Sequence, residues 1–134
     1  MATIRKEISI ARPAAEVWSA FSDFGAVHTR LAPGFVANTV LEEPRVRVVT
    51  FANGASARET LVSLEEGRRR LVYAIAPGPK YTHYNAAIEV FEEGAGSRVV
   101  WTIDLMPDAL AETIAGMVDM ALPAMRTHLE GAAV

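Results

Sequence analysis

Apolar and polar residues alternate with period two at the start of the chain. Ile4, Lys6, Ile8 and Ile10 share one face, which predicts a half-buried strand. Pro13 is preset for a first helical turn, and Ala14, Val17, Trp18 and Phe21 follow it at helical spacing. A short amphipathic helix should therefore turn Trp18 and Phe21 inward. Asp23 is placed to cap a second short helix running to about Leu31, which Pro33-Gly34 closes. From Phe35 to Met106 the chain is enriched in Val, Ile, Thr, Tyr, Phe and Trp. Turn signals cut it at Glu43-Pro44, Asn53-Gly54, Glu66-Gly67, Pro77-Gly78-Pro79 and Gly94-Ala95-Gly96. This spacing predicts six strands joined by hairpins, hence an antiparallel sheet. Pro77-Gly78-Pro79-Lys80 is too rich in turn formers for a strand and is expected as a loop at the rim.

The strongest periodicity comes last. Leu110, Ile114, Met117, Val118, Ala121, Met125 and Leu129 fall on one helical face, opposite Glu112, Asp119, Arg126 and Glu130. This predicts a helix from about Asp108, a candidate cap, to Glu130, lying on something apolar. Gly116 and Pro123 weaken it internally, and Pro123 removes a backbone donor, so a kink is expected near Met120. The order of elements is strand, two short helices, six strands and one long helix, an α+β arrangement.

A length of 134 residues suits one domain, 1–134, large enough for a real core. No apolar stretch reaches the roughly 18 to 20 residues of a membrane span, and the N-terminus lacks a secretory segment, so a soluble cytoplasmic protein is expected. The absence of cysteine excludes disulfides and thiolate chemistry. A net charge of −3 argues against nucleic acid as a partner. The densest basic run, Arg68-Arg69-Arg70, follows Glu65-Glu66-Gly67 and reads as a solvated hairpin.

Catalytic and metal signatures are weak. His28, His83 and His128 have no metal-ligand spacing, no glycine-rich phosphate loop follows a strand, and no serine has a nucleophile-elbow context. No cofactor is implied. His128 stands out only because it shares the apolar face near the end of the long helix, where the dipole favours a cation. Strand alternation gives a pocket argument instead. Val99, Trp101, Ile103 and Leu105 share one face of the last strand, and Tyr84, Ala86, Ile88 and Val90 one face of the strand before it. Trp101 and Tyr84 should therefore face inward, whether as core or as pocket lining.

The Asn53-Gly54 signal bears on Glu59 through hairpin register. A two-residue turn pairs Ala52 with Ala55 and sets Glu59 opposite Val48, on one face with Val46, Ala57 and Leu61, with Arg47 on the other. A three-residue loop or a bulge instead sets Arg47 opposite Glu59 as a cross-strand ion pair. The two-residue turn is the expected one. Glu59, rather than any histidine, is then the ionisable group expected in the cavity, with its pKa raised unless Tyr73 or Arg47 compensates.

Several segments in order resemble the polyketide cyclase/dehydrase branch of the START-like (SRPBCC) helix-grip superfamily. They are Ala11-Arg12-Pro13-Ala14-Ala15-Glu16-Val17-Trp18, Phe21-Ser22-Asp23-Phe24, Val46-Arg47 ahead of Asn53-Gly54, Glu59-Thr60-Leu61, Arg70-Leu71-Val72-Tyr73 and Val99-Val100-Trp101. The resemblance implies a curved seven-stranded antiparallel sheet wrapped around the C-terminal helix. It also implies a cavity that holds lipids, polyketides or similar molecules, and it carries Arg47, Glu59, Tyr73, Tyr84 and Trp101 into the site. The chain departs from the family pattern at Arg45, where glycine is frequent, and at Leu31, near a frequent tryptophan.

The expected function is binding of a small, largely apolar ligand in a cavity lined by Tyr84, Trp101, Met117, Val118 and Ala121, with Arg47, Glu59 and Tyr73 as polar groups. A second reading is an aromatase/cyclase-type enzyme with acid/base chemistry at Glu59. Glu59 next to Arg47 or Tyr73 would favour chemistry, and a wholly apolar lining would favour carriage. A third reading, a surface-interaction domain, requires a filled cavity. Oligomeric state stays open, with a homodimer among the options.

Overall fold

The computed structural model describes residues 1–131. Its elements follow the expected order: β1 (Ala2–Ile10), α1 (Ala14–Ser22), a single π-helical turn (Val27–Leu31), then β2 (Val36–Glu43), β3 (Val46–Phe51), β4 (Ser56–Glu65), β5 (Arg70–Ala74), β6 (His83–Glu93) and β7 (Gly96–Met106). A short 3₁₀ turn, Asp108–Leu110, leads into the 21-residue helix α2 (Ala111–Gly131). The seven strands form one antiparallel sheet in the order β1-β7-β6-β5-β4-β3-β2. Every neighbouring pair from β2 to β7 is consecutive in the chain. The segment carrying α1 and the π turn takes the chain from one edge, β1, to the other, β2.

The core follows the alternation of the strands. Val99, Ile103 and Leu105 of β7 have no exposed surface, and Trp101 and the facing Tyr84, Ile88 and Val90 of β6 are buried. In α1, Val17, Trp18, Ala20 and Phe21 are buried, and the Trp18 indole N–H donates to Glu66 at 2.6 Å, tying the helix to the β4–β5 turn. The Arg68-Arg69-Arg70 run sits at that turn, where Arg68 pairs with Glu65 and Glu89 and Arg69 with Glu92. The solvated reading holds.

Two expected caps are not caps. The second helix shrinks to one π turn beginning at Val27, with no side-chain cap bond, because the Asp23 carboxylate is taken by Arg30 at 3.1 Å. At the other end, Asp108 pairs with the N-terminal ammonium of Met1 at 3.2 Å, and regular helix begins at Ala111. In both cases a cation outcompetes the backbone N–H groups that a local reading assigns to the carboxylate, Arg30 from within the same turn and the Met1 ammonium from the far end of the chain. Pro123 lies within α2 on its exposed side.

Candidate functional site

Helix α2 carries two stripes. Ile114, Val118, Ala121, Leu122, Met125 and Leu129 are buried and form its core side, which packs chiefly against β1. Thr113, Gly116, Met117 and Met120 form a second stripe that, with Ile114, Ala121 and Met125 at the edge of the first, faces a cavity of about 840 Å³ between the helix and the inner face of the sheet. Met120 is 66% exposed because it stands at the open side of that cavity. The β3–β4 turn and the β5–β6 loop complete the rim, the latter through Gly78, Pro79, Lys80 and Tyr81. The turn-former cluster is the rim loop the sequence implied.

Of the residues expected at the site, Arg47, Glu59, Tyr73, Tyr84, Trp101, Met117 and Ala121 all line this cavity. Val118 does not. It is completely buried in the core, because consecutive helical residues point about 100° apart and Met117 holds the cavity-facing position. His128 lies elsewhere, beside a separate groove that also borders Arg12 and Arg30.

The polar heart of the cavity comes from the β3–β4 hairpin, in the register of the longer loop. Phe51 N–H donates to Ala55 O at 2.8 Å, so Ala52, Asn53 and Gly54 lie between the paired strands, with Gly54 at φ +89°. The expected two-residue turn is corrected for a visible reason. It would use Ala52 N–H to bond Ala55, but that N–H donates to Phe35 O at 3.0 Å in the segment entering β2. The register that results sets Arg47 opposite Glu59, Val49 opposite Ala57 and Val48 opposite Arg58. Arg47 therefore shares the inner face with Glu59. Val46 and Val48 do not, contrary to the two-residue reading.

Arg47 Nε donates to Glu59 Oε1 at 2.8 Å, and each side chain is only 7% exposed. Arg47 Nη1 also donates to the Phe24 carbonyl at 3.2 Å. The guanidinium lies 4.0 Å from the Phe24 ring centroid and 5.0 Å from that of Tyr73, so aromatic rings embrace it. Burial pushes the Glu59 carboxyl above its usual range, and the charge and hydrogen bond of Arg47 oppose that push. Tyr73 and Tyr84 have ring centroids 6.5 Å apart, and Tyr81 packs against Tyr84 with centroids 4.8 Å apart and the rings tilted by 57°. Both inner phenols are raised far above ordinary tyrosine, first by burial and then by neighbouring negative charge, so they stay protonated donors at neutral pH. The Trp101 indole N–H is buried without a partner among the described residues.

Phe24 is the site residue that sequence reasoning missed. It sits at the end of the Phe21-Ser22-Asp23-Phe24 segment, three residues past an inward-facing aromatic, and that spacing was the available signal. The departures at Arg45 and Leu31 are both accommodated. Arg45 is exposed and donates to the carbonyls of Leu61 and Val62, each at 3.2 Å, and Leu31 is buried at the cavity wall.

A seven-stranded antiparallel sheet that grips a C-terminal helix around an internal cavity defines the START-like helix-grip class. The chain belongs to the family described as polyketide cyclase/dehydrase and lipid transport, whose model matches residues 1–130. Solved structures agree on the fold. An uncharacterized protein from Bacillus thuringiensis superposes with a TM-score of 0.84 at 23% identity, covering 96% of this chain and 98% of that one. A protein from Thermobifida fusca gives 0.78 at 30% identity over 96% and 93% of the two chains. A START superfamily protein from Mycobacterium smegmatis gives 0.69 at 15% identity over 97% and 95%. No curated protein matches the chain. No helix among the described residues is long and apolar enough to cross a membrane.

Proposed function

We propose that the chain is one binding domain for a small, largely apolar molecule with one or two polar groups. The observation that carries this reading is the cavity itself. About 840 Å³ of space is walled mainly by aliphatic and aromatic side chains and has a buried ion pair, Arg47–Glu59, on its inner face. That is the anatomy of a small-molecule site, in which apolar walls supply affinity and a few polar groups fix orientation. Native mass spectrometry of freshly purified protein tests it. A co-purified adduct of small-molecule mass supports the reading. Bare protein that also fails to take up an uncharged fluorescent naphthylamine removes it.

A second reading has its own observation. Glu59 sits beside Arg47 within the cavity, and Tyr73 stacks near the guanidinium, which is the titratable arrangement that favours chemistry over carriage. A carboxylate held by an arginine, with two protonated phenols nearby, could take up and return protons while a folded poly-carbonyl chain loses water. Under this reading the protein turns over a poly-β-keto thioester surrogate, and Glu59→Gln abolishes the turnover without abolishing binding. Binding without turnover in the unaltered protein leaves carriage alone. The filled-cavity interaction domain has no support, because the space between helix and sheet is open.

A further inference from the structure

The charge state of the cavity bears on which ligands it admits. Arginine stays protonated in proteins, so a buried guanidinium needs a counter-charge. Here Glu59 supplies it from within the same wall, at 2.8 Å. The pair closes its own charge balance before any ligand arrives. A ligand bearing a fixed negative charge would bring a third, uncompensated charge into a low-dielectric space, beside the Glu59 carboxylate.

Both members keep hydrogen-bonding capacity. Arg47 has five N–H donors, of which one goes to Glu59 Oε1 and one to the Phe24 carbonyl. Glu59 Oε2 accepts no hydrogen bond among the described residues. The face of the guanidinium is covered by Phe24 at 4.0 Å and flanked by Tyr73 at 5.0 Å, which leaves its edge for a ligand. A hydroxyl is suited to this edge: it can donate to the carboxylate and accept from the guanidinium at once, with no change in net charge.

Resting on the binding function proposed above, we infer that the Arg47–Glu59 pair makes the cavity selective for uncharged, hydroxyl-bearing apolar molecules and excludes anionic ones of the same shape. Glu59 is then the specificity-determining residue. Removing its charge while keeping its shape would convert the site into one that accepts anions.

The test uses the whole chain and two probes with the same chain length, decanol and decanesulfonate. The sulfonate stays ionised throughout, so ligand titration does not intrude. Each displaces the uncharged fluorophore N-phenylnaphthylamine at about pH 8, well above the ordinary carboxylate range. In the unaltered protein decanol should displace the dye at a concentration at least about tenfold below that needed for decanesulfonate. In Glu59→Gln that preference should fall by at least about tenfold, through tighter binding of the sulfonate. Equal displacement by both probes in the unaltered protein overturns the inference, and this arm requires no variant to fold. A Glu59→Gln protein with native circular dichroism and an unchanged preference overturns it as well. Failure of the dye to bind the unaltered protein overturns instead the binding function on which the inference rests.

Discussion

The two halves of the sheet treat the same helix differently. Along β1 the inner face is apolar except for Lys6, and α2 packs onto it with Val118 fully buried, while Tyr84, Ile88 and Trp101 of β6 and β7 reach across to the cavity. Beneath β3, β4 and β5 the inner face carries Arg47, Val49, Ala57, Glu59, Leu61, Leu71 and Tyr73, and the helix stands off across the cavity. One half is a packed core and the other a vessel. A wall of close-packed aliphatics excludes everything, whereas a wall with small and charged residues leaves space and must neutralise its own charge.

The largest expected effect comes from breaking the neutrality of the vessel. Arg47→Leu leaves Glu59 buried without its counter-charge and should cost about 3–5 kcal/mol in urea unfolding at neutral pH. Arg47→Leu with Glu59→Leu should recover most or all of that loss, since an apolar pair needs no desolvation. A double variant as unstable as the single one would mean that the damage comes from lost packing and not from charge.

Truncations sharpen the contrast. Ile103, fully buried in the packed half, should cost about 2–5 kcal/mol as Ile103→Ala. Met120, on the same helix face as the cavity and 66% exposed, should cost no more than about 0.5 kcal/mol as Met120→Ala. Similar costs at both positions would show that the cavity is collapsed in solution.

Acidity should act on the vessel through Glu59. Its carboxyl titrates higher in the folded protein than the ordinary value of 4.5, so the folded state holds the proton more tightly than the unfolded chain does. The stabilisation this gives is full below the unfolded value and is lost as pH rises through the raised folded value. Thermal unfolding of the unaltered protein measured against Glu59→Gln, from about pH 4 to about pH 8, should therefore show the unaltered protein losing ground as pH rises. A difference that is flat or grows with pH contradicts a raised carboxyl.

Ligand titration should move backbone amide signals in the rim, at Gly78, Lys80 and Met120, and leave those of Ile8 and Val99 in the packed half in place. An unmoved Gly78–Lys80 loop removes any role as a lid. The smallest effect belongs to the tether between α2 and the packed half. Lys6 and Asp119 meet at 3.2 Å with side chains 37% and 59% exposed, so Lys6→Ala should cost at most about 1 kcal/mol, less in high salt.

What the sequence determined by itself is whatever repeats along one element. The period-two faces of β6 and β7 placed Tyr84 and Trp101 inward, the turn signals counted six strands after the first, and the 3.6-residue stripe gave the long helix. The Pro77-Gly78-Pro79-Lys80 rim was legible for the same reason, because proline and glycine restrict the backbone locally. The tertiary structure decided everything that depends on competition between distant partners. Asp108 was drawn from capping to the N-terminal ammonium, and Val118 was separated from Met117 by where the sheet approaches the helix. The pairing of Arg47 with Glu59 turned on a single amide. Ala52 N–H could bond within its own hairpin or to Phe35, and because Phe35 holds it, the loop gains a residue and every side chain of β3 is set against β4 in the other register. Side-chain alternation has a period of two, so that one backbone hydrogen bond decided whether the buried glutamate of this cavity has an arginine beside it.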